Sequence, residues 1–128
     1  MESAKKPILD PNPARRKRVV EIMMGFLEDK ISIAEIKGIT PQRLHAYADA
    51  GHVKLKHGRV AEAEAIFRGL LLLDHRNGYF HSMMGAIHQR KARPVEAIVE
   101  YSQAISINKK DVSSFVNRGE IYLRHKNF

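Results

Sequence analysis

An all-α fold is predicted, a superhelix of antiparallel helix pairs preceded by an N-terminal helix. Three observations predict it. Residue types return in register every 34 positions from residue 41 onward. Apolar side chains recur at three- and four-residue steps, the period of a helix face. Capping and breaking residues fall between those stretches. The chain has 128 residues, 44% of them hydrophobic and 28% charged. That is enough for one packed domain and too apolar for a disordered chain.

Residues 1–13 are expected to form a flexible tail, because Pro7, Pro11 and Pro13 interrupt regular structure. Residues 14–40 form an N-terminal helical segment. A helix starts at Ala14, and Val19, Ile22, Met23, Phe26 and Leu27 share one of its faces. Met24 lies off that stripe and widens the apolar surface. A shorter piece from Ser32 to Lys37 stops at Gly38. Thr40-Pro41 then restarts the chain, the hydroxyl capping free N–H groups and the proline suiting a first turn.

Residues 41–128 carry the repeats. Tyr47, His81 and Phe115 are in step, as are Gly51, Gly85 and Gly119, and Val53, Ile87 and Ile121. Ala63 matches Ala97, Phe67 matches Tyr101, and Leu71 matches Ile105. Small residues recur where two helices must approach, and large apolar ones where the space between them is filled. This is the pattern of the tetratricopeptide repeat. The first repeat pairs a helix from Pro41 to His57, a turn at Gly58 and a helix from Val60 to Leu73. The second pairs Asn77 to Lys91 with Pro94 to Ile107. A third, capped by Asp111, contributes one helix running to about Lys126. Each repeat covers its apolar face against its neighbours, so Phe115, Ile121 and Tyr122 are expected to lack cover. The third repeat reads as truncated after its first helix.

Charge and composition bound the function. With 22 Lys and Arg against 14 Asp and Glu, the net charge is +8, which favours anionic partners. The densest run is Arg15-Arg16-Lys17-Arg18, read as a solvated helix start. The absence of cysteine excludes disulfides and thiolate chemistry. No apolar run is long enough for a membrane span, and Met1 to Arg18 lacks the apolar stretch of a signal peptide. A cytoplasmic protein without membrane contact is expected. No Gly-rich phosphate loop or paired carboxylates point to catalysis, so no enzyme and no cofactor are expected. His45 and His52 are seven residues apart, as are His81 and His88, about 10 Å of helical rise and too far for one metal ion. No metal site is expected.

The stretch Ile31-Ser32-Ile33-Ala34-Glu35-Ile36-Lys37-Gly38-Ile39-Thr40 leads into Leu44-His45-Ala46-Tyr47-Ala48. It resembles the lead-in of the class II chaperones of bacterial type III secretion. Gly58 to Arg68, Leu72-Leu73-Asp74-His75, and Tyr79-Phe80 ahead of Gly85-Ala86 are also similar to that family. The resemblance spans roughly residues 20–128. It implies a chaperone that holds an extended segment of a secreted translocator-like client in a concave groove. It also implies a homodimer contact on the N-terminal helix, for which Met24 and Phe26 are the candidates. The family's groove carries aromatic residues on the first repeat's first helix. The matching Ala48, His52 and Leu55 are not aromatic, which implies a different client motif.

Period-34 sets on the first helix of each repeat define the candidate groove. They are Ala48, Ser82 and Val116; His52, Ala86 and Glu120; Leu55, Gln89 and Leu123; and Lys56, Arg90 and Arg124. The last set is all basic and could form a ladder for an acidic client. It is also what solvated helix C-termini favour. The overall expectation is a non-catalytic protein- or peptide-binding module of the secretion-chaperone type. A general scaffold for complex assembly and a weak nucleic-acid-associated adaptor are the alternatives. The latter is disfavoured because no aromatic residues interleave with the basic ones.

Overall fold

The computed structural model describes residues 11–126; the expected tail lies mostly outside them. Seven helices follow in order: α1 (Pro13–Leu27), α2 (Ile33–Ile36), α3 (Pro41–Lys56), α4 (Val60–Leu73), α5 (Gly78–Arg90), α6 (Pro94–Ile107) and α7 (Val112–Arg124). No strand occurs among the described residues. None of the helices is long and apolar enough to cross a membrane.

Local chemistry sets the helix starts. Asn12 accepts from the backbone N–H groups of Ala14 and Arg15, and Ser32 from that of Glu35. Thr40, Asn77 and Asp111 accept from the N–H groups of Arg43, Phe80 and Ser114. Each bond satisfies one donor that the first helical turn leaves open. Pro41 and Pro94 occupy first-turn positions where no N–H is needed. The α3–α4 turn passes through Gly58 at φ 77°, a left-handed conformation that glycine adopts without penalty. Its period mate in the second repeat is Ala92, which holds φ 55° despite its Cβ. The second repeat therefore carries backbone strain that the first avoids.

Each helix from α3 onward packs on the next, and α3 also lies beside α5. The core is laid out by the 34-residue period. Phe67 and Tyr101, one period apart, have no exposed surface. Each ring fills the notch left by a glycine. A Cβ on Gly51 would come within 2.7 Å of Phe67, and one on Gly85 within 2.6 Å of Tyr101. Such distances exclude a side chain unless the helices part. Gly119 continues the series in sequence but meets nothing within 4 Å. The larger cluster joins Leu44, Ala48, Leu55, Phe67, Phe80 and Ile87 across α3, α4 and α5, and a smaller one joins Ala97, Tyr101 and Ile121.

One expectation needs correction here. Ile121 does not lack cover: it is 3% exposed, because α6 supplies Ala97 and Tyr101 against it. Phe115 and Tyr122, on other faces of α7, are exposed. The apolar stripe of α1 is not part of the core. No residue of α1 is buried, and Val19, Met23 and Leu27 are each more than half exposed. Its last turn touches the following segment, where Ile31 packs beside Gly25.

One ionic cluster ties α4 to the α5–α6 turn. Glu64, nearly buried, accepts from Lys91 at 2.6 Å, Arg68 at 2.8 Å and Arg93 at 3.1 Å. The Lys91 hydrogen bond is the largest cause holding its carboxyl down at about 2; burial opposes this, and Arg68 adds to it. The folded-state value thus lies below the ordinary 4.5. The stabilisation from this group is complete above about 4.5 and is lost as pH falls towards about 2. Glu64→Gln is expected to cost about 1–3 kcal/mol at neutral pH. It should also make the acid-side fall in Tm shallower than in the wild type, as followed by circular dichroism. A parallel fall in both proteins would show that Glu64 is not a source of acid lability.

Candidate functional site

The first helices, α3, α5 and α7, present equivalent residues along one side of the stack. His45, Ala48, His52 and Leu55 are spaced three and four apart and share one face of α3. Tyr79, Ser82, Ala86 and Gln89 do the same on α5. Exposure rises with repeat number in two of the four sets. Ala48 is fully buried, Ser82 is half-buried and Val116 is exposed. Leu55 is 7% exposed, Gln89 is half-buried and Leu123 is 68% exposed. The cause is packing: α5 leans against α3 and takes up its apolar surface.

This corrects the groove assignment at two positions. Ala48 and Leu55 belong to the core cluster with Met83 and Ile87, and side chains this deeply buried present almost no surface to a client. The remaining candidates keep exposed surface. His52 and Glu120 are exposed and Ala86 is half-buried. Gln89 is partly committed, since its side-chain oxygen accepts a hydrogen bond from the Tyr101 hydroxyl. Lys56, Arg90 and Arg124 are exposed, each as the last residue of its helix. Arg90 reaches sideways, its Nη1 donating to the Leu55 carbonyl at 3.4 Å.

A cavity that none of the four period-34 sets marks dominates the same side. It has a volume of about 640 Å³ and opens between α2, the start of α3 and the start of α5. Ala34, Ile39, Leu44 and Phe80 give it an apolar lining, and Tyr79 forms an aromatic wall. His45, Glu35 and Asp74 set polar groups around it. Tyr79 is held by its ring neighbours, with centroids 6.3 Å from those of Phe67 and Phe80. Burial pushes its hydroxyl above the ordinary range, and the Asp49 carboxylate adds to the shift. The phenol is neutral at physiological pH and can offer its proton to a carbonyl. One signal could have exposed the cavity in the sequence. His45 and Tyr79 are period mates, one helical turn before Ala48 and Ser82.

The cavity edge is fastened to the repeats by the α4–α5 loop. Arg76 Nη1 donates to the Asp29 carbonyl at 2.6 Å, and Nη2 donates to Glu35 at 3.3 Å. His75 pairs with the Asp29 carboxylate. The short segment around α2 thus becomes part of the cavity wall, although α1 before it buries nothing. Among the described residues, no group of three or more His, Asp or Glu side chains is placed to hold a metal ion.

No known family profile matches the chain, and no curated protein matches it. Solved structures do. The type III secretion translocator chaperone SycD of Yersinia enterocolitica superposes with a TM-score of 0.69 at 24% identity, over 73% of this chain and 69% of that one. A type III secretion complex from Aeromonas hydrophila gives 0.76 at 24% identity, over 81% and 69%. SycD bound to a peptide of the translocator YopD gives 0.63 at 23% identity, over 67% and 66%. The helical-repeat fold is therefore shared with these proteins.

Proposed function

We propose that this protein is a non-catalytic, cytoplasmic chaperone that holds an extended segment of a secreted, translocator-like client. The observation that carries the reading is the apolar, aromatic-walled cavity on the side lined by the first helices. An extended segment has no tertiary contacts of its own, so it needs anchor pockets to offset its ordering entropy. The cavity takes an aliphatic anchor, and Tyr79 and His45 offer polar contacts to the segment's backbone. His52, Ser82, Ala86, Val116 and Glu120 continue the track, with Lys56, Arg90 and Arg124 along its margin. The fold shared with SycD, which has been solved with a translocator peptide, supports the same reading.

Pull-down from the source organism with mass spectrometry tests it. A single hydrophobic secreted client, lost on Tyr79→Glu, is the expected result. Several unrelated partners, retained by that variant, would support a general scaffold instead.

The exposed side of α1 belongs to the same proposal. Met24 is about half exposed and Phe26 half-buried, and we assign them to contact with a second copy of the chain. Charged residues at both positions should convert dimer to monomer in light scattering at matched concentration. An unchanged mass would remove this assignment.

A further inference from the structure

We infer that the edge formed by the turns within each repeat is a docking strip for an extended acidic segment bearing carboxylates at about every third position. The inference rests on the client reading for the segment's origin, but the strip is defined by its own residues. Three basic positions recur there. Lys56, Arg90 and Arg124 end α3, α5 and α7. His57, Lys91 and His125 follow them in register, and Arg59 and Arg93 close the turns.

The strip is continuous. The Arg90 guanidinium reaches the Leu55 carbonyl at the end of α3. Arg93 and Arg124 line one cavity of about 180 Å³ between the α5–α6 turn and the end of α7. Local carboxylates neutralise only part of it, pairing with Arg59, Lys91 and Arg93. Glu62 lies 3.6 Å from Lys54 and 3.7 Å from Arg59, and the single carboxylate of Glu64 answers three cations. No ion pair to a carboxylate reaches Lys56, Arg90 or Arg124 among the described residues. A helix C-terminus offsets about half a charge, so each of these ends stays net positive.

Geometry selects the partner. Packed helices lie about 8–10 Å apart, and α3 and α5 are packed neighbours. An extended strand rises about 3.3 Å per residue. From Lys56 to Arg90 the ladder therefore meets about every third residue of such a segment. A single-stranded nucleic acid would also want aromatic platforms between the cations, and the turns contain none.

Fluorescence anisotropy at low salt tests this with three synthetic probes of twelve units. One peptide has Glu at every third position among Gly and Ser, one has the same composition with its Glu residues contiguous, and one is oligouridine RNA. The spaced peptide should bind tightest and lose its advantage as salt shortens the screening length. Arg90→Glu with Arg124→Glu should weaken it on the order of tenfold, mainly through association. Arg90→Gln with Arg124→Gln should weaken it less. Lys109→Glu with Lys110→Glu, on the opposite edge, should leave it unchanged. Equal binding of the two peptides, tighter binding of the RNA, or indifference to the Arg90 and Arg124 changes would overturn the inference. Because the probes are synthetic, these outcomes hold whether or not pull-down returns a secreted client. Loss of binding on Tyr79→Glu alone would place the probe in the cavity and also overturn the strip.

Discussion

Leu55→Asp is expected to unfold the protein rather than merely loosen its grip on a client. Leu55 lies on the face that the period assigns to the groove, so an aspartate there could be taken for a binding variant. Its side chain is 7% exposed and sits in the cluster shared by α3, α4 and α5. The substitution removes a buried aliphatic side chain and sets a carboxylate among apolar groups. The loss is about 4 kcal/mol or more. Denaturant titration should show either no folded baseline or a strongly lowered midpoint. A midpoint close to that of the wild type would show that α5 does not cover this part of α3.

Phe67→Ala should cost about 3–5 kcal/mol. The ring has no exposed surface, stacks obliquely on Phe80 and meets Tyr79 edge-on. It also fills the notch at Gly51, so its removal leaves a cavity that rigid helix backbones cannot close. In a repeat array each unit depends on its neighbours, so the damage should spread from α3–α4 to the start of α5. Tyr79 then loses the contact that positions it at the client cavity. Urea unfolding should give a lower midpoint with an unchanged slope. A cost below about 1 kcal/mol, the scale of a surface change, would contradict the assignment of Phe67 as the centre of the core.

Much of this fold was legible in the sequence because its determinants are local or strictly periodic. Thr40-Pro41, Asn77, Pro94 and Asp111 start helices through bonds that span only three residues or through a missing N–H. Gly51 with Phe67, and Gly85 with Tyr101, show their complementarity by recurring together. Ala92 was less legible: its strain is visible only against Gly58 in the same turn of the previous repeat.

The site was read less well, for a different reason. Periodicity says which residues share a face. It does not say how much of that face the next helix covers, so the period assigns Ala48 and Leu55 to the groove although α5 buries them. The cavity draws on α2, α3, the α4–α5 loop and α5, segments that only tertiary packing brings together. Arg76 and His75 help to shape it by holding Asp29 and Glu35, pairings more than forty residues apart that leave no local trace.

The central claim is that an extended client segment lies along the first helices with an anchor in the cavity beside Tyr79. Chemical-shift mapping of isotope-labelled protein titrated with the client segment tests it directly. The account predicts the largest changes at His45, Tyr79, Ser82 and Ala86, with smaller ones towards Val116. Changes concentrated on the outer surface of α4 and α6, at Leu72, Val95 and Val99, with Tyr79 unmoved, would contradict it.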